Sequence, residues 1–142
     1  MTYLVNRRQI MIEWGQCDPV GFVHNNCFFE VFDTSTWLLF QAALGVRPPD
    51  LPKAYDIIGI PLVGAGARYL HAPRFGDLVE IDSSISEFRR SSFSVQHRLM
   101  IDGTLAVEGN ETRVWAAVDE NDPKKMKARP IPPEVIERFK AA

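Results

Sequence analysis

The chain has 142 residues, of which 46% are hydrophobic and 24% are charged, and its formal net charge is -2. A chain of this length buries enough apolar surface for one core without disulfides or metal, which excludes disorder and predicts a single domain over residues 1–142. The slightly acidic balance excludes a general attraction to nucleic acid or to an acidic membrane surface. An anionic ligand therefore needs a local cluster of cationic side chains.

The N-terminal segment MTYLVNRRQIMIEW lacks the apolar run and the small-residue cleavage site of an export signal. No stretch of the sequence approaches the roughly 20 apolar residues that span a bilayer. We therefore expect a cytoplasmic protein with no membrane partner. In that compartment Cys17 and Cys27 are expected to remain free thiols.

The first elements predicted along the chain are a strand and a long helix. Residues 3–13 alternate between apolar and polar side chains, which predicts a half-buried strand that Gly15 ends. Residues 27–44 have the helical period, and Gly45 fits the position that ends a helix. One stripe of this helix consists of Phe29, Phe32, Thr36, Leu39 and Ala43. Further apolar residues widen the stripe, so we expect the helix to be enclosed on more than one side.

Strand patterns dominate the rest of the chain. The candidates are residues 61–71, 78–89, 91–101 and 105–118, and a short helix follows Pro132-Pro133. The Asp102-Gly103 pair predicts a tight hairpin, because both residues tolerate a positive φ. One strand, one long apolar helix and four long strands predict an α+β hotdog fold, with a curved antiparallel sheet of about five strands around one central helix. Long strands leave exposed edges, so we expect a homo-oligomer, a dimer or a tetramer.

The segment GQCDPVGFVHNN, between the first strand and the long helix, concentrates polar and reactive side chains. Asp18 lies in a loop shaped by Pro19 and Gly21, and Asn25 or Asn26 is predicted to cap the helix. The unpaired amides of the first helical turn can hold a carbonyl oxygen as negative charge develops on it. A carboxylate beside that carbonyl can attack it or activate a water molecule, which predicts acyl-transfer chemistry. The alternative is that Asp18 only stabilises a turn.

Two basic segments are candidate sites for an anionic group. The segment EFRRSSF places Arg89, Arg90 and Ser91 side by side, and guanidinium and hydroxyl groups suit a phosphate. The alternative is a solvated turn between strands. A second basic segment, from Lys124 to Arg129, is interpreted as a solvated tail that can at most attract an anion.

Other reactive residues favour structural roles. The spacing of Cys17, His24 and Cys27 matches no usual zinc pattern, so no metal is expected, and the two thiols are interpreted as small buried residues. A cysteine–histidine nucleophilic pair is the alternative. His24 is expected to line a substrate pocket, whereas His71 and His97 lie in strand patterns and are interpreted as structural.

The segments IEWGQCDPVGFVHNNCFFEVFD and EFRRSSF resemble the hotdog-fold acyl-CoA thioesterases, most closely the bacterial 4-hydroxybenzoyl-CoA thioesterase branch. The resemblance implies that Asp18 is the catalytic carboxylate and that the backbone amide near Asn25 polarises the thioester carbonyl. It also implies that the segment 89–91 lies near the phosphates of coenzyme A, with Gly21 and His24 beside the substrate. In the family the site lies between two subunits.

The resemblance predicts hydrolysis of a small aromatic or short to medium acyl-CoA. No separate cofactor is expected, because coenzyme A is part of the substrate. One departure from the family is the absence of its aromatic residue at Asn25. A second hotdog branch uses a carboxylate on the helix, for which Glu30 and Asp33 are the candidates, but Asp18 occupies the loop position. The alternative function is a non-hydrolytic acyl-binding or dehydratase-like module.

Overall fold

The computed structural model of the chain describes residues 2–141, and its main feature is one five-stranded antiparallel sheet. The strands are β1 (Val5–Met11), β2 (Leu62–Tyr69), β3 (Leu78–Phe88), β4 (Ser92–Ile101) and β5 (Thr104–Val114). Their order across the sheet is β1-β3-β4-β5-β2, and each neighbouring pair is antiparallel. The long helix α1 (Asn25–Leu44) packs on one face of this sheet. The α+β architecture predicted from the sequence is therefore confirmed.

The turn between β4 and β5 follows the prediction. Asp102 has φ 50° and Gly103 has φ 77°, and Ile101 pairs with Thr104 across them. Two consecutive positive φ values match the twist of the flanking strands, so this pair closes the hairpin with two residues.

Helix α1 begins without the predicted cap. His24 is the N-cap residue, with φ -61° and ψ 138°, and no side chain caps the helix. The backbone amide of His24 is bonded to the carbonyl of Gln16 at 2.9 Å, which holds this residue extended. The helix consequently starts at Asn25, and the prediction that Asn25 or Asn26 caps it is wrong. Gly45, with φ 69°, ends the helix as predicted.

Only one side of α1 is buried. Phe32, Leu39 and Phe40 are in the core, while Phe29 is 38% exposed. Phe29 therefore does not belong to the buried stripe, and the prediction that the helix is enclosed on more than one side is wrong for the single chain. The short helix α3 (Pro133–Arg138) covers the C-terminal part of α1 through Phe139, whose ring lies 4.8 Å from that of Phe40.

A second, smaller sheet follows the main one. The predicted strand 105–118 is interrupted at Trp115, and Ala116–Val118 forms β6, which pairs with β7 (Met126–Ala128). The basic segment is therefore not a tail, because part of it is a strand, but β7 is exposed to solvent as the interpretation requires. A two-residue alternation within a run of lysines is too short to reveal β7 in the sequence.

A five-residue helix, α2 (Leu51–Tyr55), lies between α1 and β2. Over residues 2–141, no helix has the length and hydropathy that a membrane span requires.

Candidate active site

The loop before α1 is closed by backbone hydrogen bonds. Cys17 and Val23 form an isolated β-bridge, and the amide of Asp18 donates to the carbonyl of Phe22 at 2.8 Å. Gly21 has φ 94°, a value that L-residues rarely adopt, so glycine is needed for this tight reversal. Asp18 is consequently presented at the start of a small hairpin directly ahead of the helix.

The Asp18 carboxylate is held by one of its two oxygens. Its Oδ1 accepts hydrogen bonds from the amides of Val20, at 2.9 Å, and Phe22, at 3.1 Å. Within residues 2–141 the other oxygen, Oδ2, has no hydrogen bond and the carboxylate has no ion pair. The side chain therefore stabilises the loop, as the alternative interpretation requires, and also keeps one oxygen available for chemistry.

The first turn of α1 lies next to this loop. Asn25 occupies the first helical position, where the backbone amide has no carbonyl partner within the helix. A cavity of about 260 Å³ opens beside it, lined by Val23, Asn25, Phe28, Tyr69, Leu70, His71, Ala72 and Pro73. Asn25 is thus at the wall of a mostly apolar pocket, whereas Asp18 does not line it. His24 and Gly21 flank the same turn without lining this cavity.

His71 departs from the structural role interpreted for it. The residue is exposed and lines the cavity at Asn25. His97 does have a structural role, since it is fully buried and its Nδ1 lies 2.7 Å from the hydroxyl of Ser83. The two histidines have the same strand pattern in the sequence, so only the tertiary structure separates them.

Cationic side chains line a second cavity, of about 580 Å³. Arg90, Ser91, Lys127 and Arg129 line it, together with Glu120 and three apolar residues. Lys127 belongs to β7, so the strand that the sequence did not reveal brings it beside the predicted arginine segment. This cluster has the chemistry of a phosphate site.

Arg89 does not line this cavity. Its guanidinium forms an ion pair with Glu87 at 2.9 Å and donates to the hydroxyls of Ser92 and Ser94. Of the three residues predicted near the phosphates, the structure therefore groups Arg90 and Ser91 with the basic cluster and separates Arg89.

The two parts of the predicted site lie at opposite ends of the sheet. The Asp18 loop packs on the segment just before β3, since the amide of Val23 donates to the carbonyl of Pro73. Arg90 follows the far end of β3, and eleven strand residues span roughly 30 Å at about 3.3 Å per residue. One chain alone does not bring the loop carboxylate and the basic cavity together.

A buried polar network, which no sequence pattern predicts, links α1 to the sheet. Arg113 forms ion pairs with Glu111 at 3.0 Å and with Asp33 at 2.5 Å. Glu111 also accepts a short hydrogen bond from Thr36, whose hydroxyl lies 3.1 Å from Nε2 of His97. The partners on the helix are 75 to 80 residues away in the chain.

Burial opposes ionisation of Glu111, but hydrogen bonds from His97, Arg113 and Thr36 outweigh it and lower the pKa of Glu111 to about 2. Asp33 is tied to this network through Arg113, whereas Asp18 has no cationic partner among the described residues. Of the two helix carboxylates considered from the sequence, Glu30 is exposed and Asp33 is paired. Asp18 is therefore less constrained than Asp33, while the side chain of Glu30 has neither a hydrogen bond nor an ion pair among residues 2–141.

Both cysteines are free, as predicted, and both are half-buried. Burial raises the pKa of Cys17, and the nearby Asp18 adds to that effect. Burial raises the pKa of Cys27 as well, with contributions from Glu30 and Cys17. A raised pKa disfavours the thiolate, so neither residue has the character of an activated nucleophile. In the part of the chain described, no three His, Cys, Asp or Glu side chains are grouped as metal ligands.

The family model of the thioesterase-like superfamily matches residues 12–139 of the chain. The chain belongs to this superfamily. A relative in the thioesterase-like superfamily, the 4-hydroxybenzoyl-CoA thioesterase of Pseudomonas sp. (strain CBS-3), is 29% identical over 135 residues, which cover 91% of this chain and 93% of the relative. The solved structure of that Pseudomonas enzyme matches with a TM-score of 0.84 and 27% identity over 94% of this chain and 98% of that one.

A gentisyl-coenzyme A thioesterase structure matches with a TM-score of 0.79 and 25% identity over 94% of this chain and 99% of that one. The predicted family, the hotdog fold and the class of thioester hydrolases are therefore confirmed. The roles of individual site residues stay predictions.

Proposed function

We propose that the chain is an acyl-CoA thioesterase that hydrolyses the thioester of a small, hydroxylated aromatic acyl group. The single observation that carries this proposal is the Asp18 carboxylate, held by one oxygen only, in the loop that leads directly into the unpaired amides at the start of α1. The membership in the thioesterase-like superfamily supports the same chemistry.

The proposed reaction begins with the thioester carbonyl oxygen accepting a hydrogen bond from the backbone amide of Asn25. Charge that develops on this oxygen is stabilised by the amide and by the positive end of the helix dipole. Asp18 then acts through Oδ2 in one of two ways. It attacks the carbonyl carbon and expels the thiolate of coenzyme A, leaving an acyl anhydride that water hydrolyses, or it removes a proton from the attacking water.

These two routes differ in where the oxygen of water arrives. A single turnover in heavy-oxygen water transfers label to the Asp18 carboxylate only if the anhydride forms and water attacks at the aspartyl carbon. Label in Asp18 therefore establishes the anhydride route, whereas label only in the released acid is produced both by the general-base route and by an anhydride that water opens at the acyl carbon.

A second copy of the chain is part of the proposal, because the loop carboxylate and the basic cavity of one chain lie at opposite ends of β3. Strand β2 is one of the two edge strands of the sheet, and Leu62 and Val63 on it are 47% and 62% exposed. Antiparallel pairing of β2 with its copy brings the start of one strand beside the end of the other. The Asp18 end of one chain would then meet the basic end of its partner, where Arg90, Ser91, Lys127 and Arg129 are proposed to bind the phosphates.

The proposed acyl group is small. The cavity at Asn25, about 260 Å³, is at the lower limit of pockets that bind small molecules, which begin at about 300 Å³. The relatives named above act on 4-hydroxybenzoyl-CoA and gentisyl-coenzyme A, which supports an aromatic acid rather than a long acyl chain.

The test of the catalytic role is Asp18→Asn. The amide oxygen can still accept the loop hydrogen bonds, but the side chain loses its charge, its nucleophilicity and its basicity. We expect kcat for an aromatic acyl-CoA to fall at least ~100-fold, measured as free thiol released. Asp77→Asn is the matched control, because Asp77 also accepts a loop amide, that of Arg74 at 2.9 Å. Near-normal turnover by Asp18→Asn would refute the assignment.

A further inference from the structure

His71 lies at the wall of the cavity beside Asn25, and its backbone is fixed. The amides of Leu70 and His71 both donate to the carbonyl of Ala106, at 2.8 and 3.1 Å. This double contact ends the pairing of β2 with β5, since Tyr69 is the last paired residue of β2. The ring of His71 is therefore carried on a rigid strand end and not on a mobile loop, which is the geometry a specific contact needs.

The other walls of the cavity are mainly apolar. The rings of Phe28 and Tyr69 lie 5.4 Å apart at an angle of 51°, and Val23, Leu70 and Pro73 complete this surface. Such walls suit one flat ring with a substituent, since a cavity of roughly 150 Å³ already holds benzene and this one measures about 260 Å³.

Three side chains at this cavity have unused hydrogen-bonding capacity. Over residues 2–141, the side-chain amide of Asn25, the hydroxyl of Tyr69 and the imidazole of His71 make no hydrogen bond to protein. Asn25 lies at the position proposed for the thioester carbonyl, and the Tyr69 ring packs on Phe28. The imidazole and the Tyr69 hydroxyl both offer a donor and an acceptor to a bound acyl group, and of the two rings the imidazole is the one without an aromatic partner among residues 2–141.

We propose that His71 determines acyl specificity by hydrogen-bonding a hydroxyl substituent on the aromatic ring of the substrate. This inference rests on the proposed function and adds to it the residue that separates hydroxylated from plain aromatic acyl groups. A pocket with a hydrogen-bonding group for the hydroxyl rejects the analogue that lacks it, because the polar group is then left unpaired.

The experiment compares kcat/KM for 4-hydroxybenzoyl-CoA with kcat/KM for benzoyl-CoA. For His71→Leu we expect the ratio of these two values to fall about tenfold, the effect of one lost hydrogen bond. His71→Gln keeps a donor and an acceptor, so its ratio should stay within about threefold of the wild-type ratio. Gln96→Leu, an exposed change in β4, is the control for a surface leucine and should leave the ratio unchanged.

An unchanged ratio in His71→Leu would overturn the inference while leaving the thioesterase function standing. Calorimetric titration of the same two thioesters into Asp18→Asn, with and without His71→Leu, separates the two proposals. If the wild-type protein releases no thiol but the ratio of dissociation constants shifts with His71→Leu, the proposed hydrolysis fails and the specificity contact holds. If neither thioester binds, the specificity contact is refuted.

Discussion

Asp18 shows how one side chain can serve both loop structure and chemistry. Its Oδ1 fixes the turn through two backbone amides, and this fixed orientation is what directs Oδ2. The sequence could reveal this residue because every group that orients it lies within five positions. Local patterns of Asp, Pro and Gly encode such a loop directly. The same sequence could not reveal the availability of Lys127, which depends on the pairing of β6 with β7.

Glu111 is a buried charge whose partners come from distant parts of the chain. In the sequence, Glu111 and Arg113 lie two positions apart in a strand pattern. This spacing is equally compatible with a solvent-exposed face. Their burial follows from the helix above them, where Thr36 and Asp33 provide partners 75 and 80 residues away. Contacts at that separation leave no periodic signal in the sequence.

Replacing Glu111 should change the acid dependence of stability. The folded pKa is about 2, below the ordinary value of 4.5, so ionised Glu111 stabilises the fold above about pH 5, and this contribution is lost as the pH falls towards 2. A shift of this size corresponds to about 3 kcal/mol. In Glu111→Gln we expect a lower free energy of urea unfolding at pH 7, by about 3 kcal/mol, because Arg113 loses its buried counter-charge.

The difference between wild type and Glu111→Gln should narrow as the pH is lowered from 5 to 3, because Glu111 of the unfolded chain takes up a proton near its ordinary pKa of 4.5 while the folded carboxylate stays ionised. Glu120→Gln, an exposed change, is the control and should alter the free energy of unfolding little at any pH. A difference between wild type and Glu111→Gln that is independent of pH would contradict the assigned ionisation.

The packing of α1 on the sheet depends on one close approach. The ring of Phe32 lies directly over Gly109 of β5, and it stacks on His97 with 4.8 Å between centroids. A Cβ atom at Gly109 would overlap the Phe32 ring, so only glycine allows the helix to lie this close. This glycine is therefore part of what positions the helix that carries Asn25.

We expect Gly109→Ala to lower the free energy of unfolding by about 1–3 kcal/mol, the usual effect of overpacking a core. Without the contact, alanine would stabilise the strand relative to glycine. A lower free energy of unfolding in Gly109→Ala therefore reports the overlap with Phe32. The measurement is urea unfolding, with Gly15→Ala as the control because no atom lies within 4 Å of a Cβ at Gly15. If Gly109→Ala left the free energy of unfolding unchanged or raised it, the Phe32 ring of α1 would not be in close contact with β5.

The main elements could be predicted because each has a strong local signal. The apolar period defined α1, and Asp102-Gly103 defined the hairpin between β4 and β5. The start of α1 could not be predicted from capping rules, because the hydrogen bond from His24 to Gln16, and not a side chain, sets it. The exposure of Phe29 likewise depends on which side of α1 faces the sheet.

In one chain of the whole molecule, the two parts of the proposed site lie at opposite ends of the sheet. The Asp18 loop lies before β3 and the basic cavity lies after it, while β2 leaves an exposed edge along which a second copy can pair. Antiparallel pairing of two β2 strands would form two complete sites in each dimer. In the proposed dimer, each site combines Asp18 of one chain with the basic cavity of the other chain.

Complementation between two impaired variants tests directly whether Asp18 and the basic cavity of one site come from different chains. Asp18→Asn removes the carboxylate, and the double change Arg90→Glu with Lys127→Glu reverses the charge of the basic cavity. Each should be nearly inactive alone at substrate concentrations well below KM. After joint unfolding and refolding in equal amounts, random pairing should return about a quarter of the wild-type rate, because each mixed dimer then contains one intact site. Activity no higher than that of the two separate variants would show that both groups act within one chain.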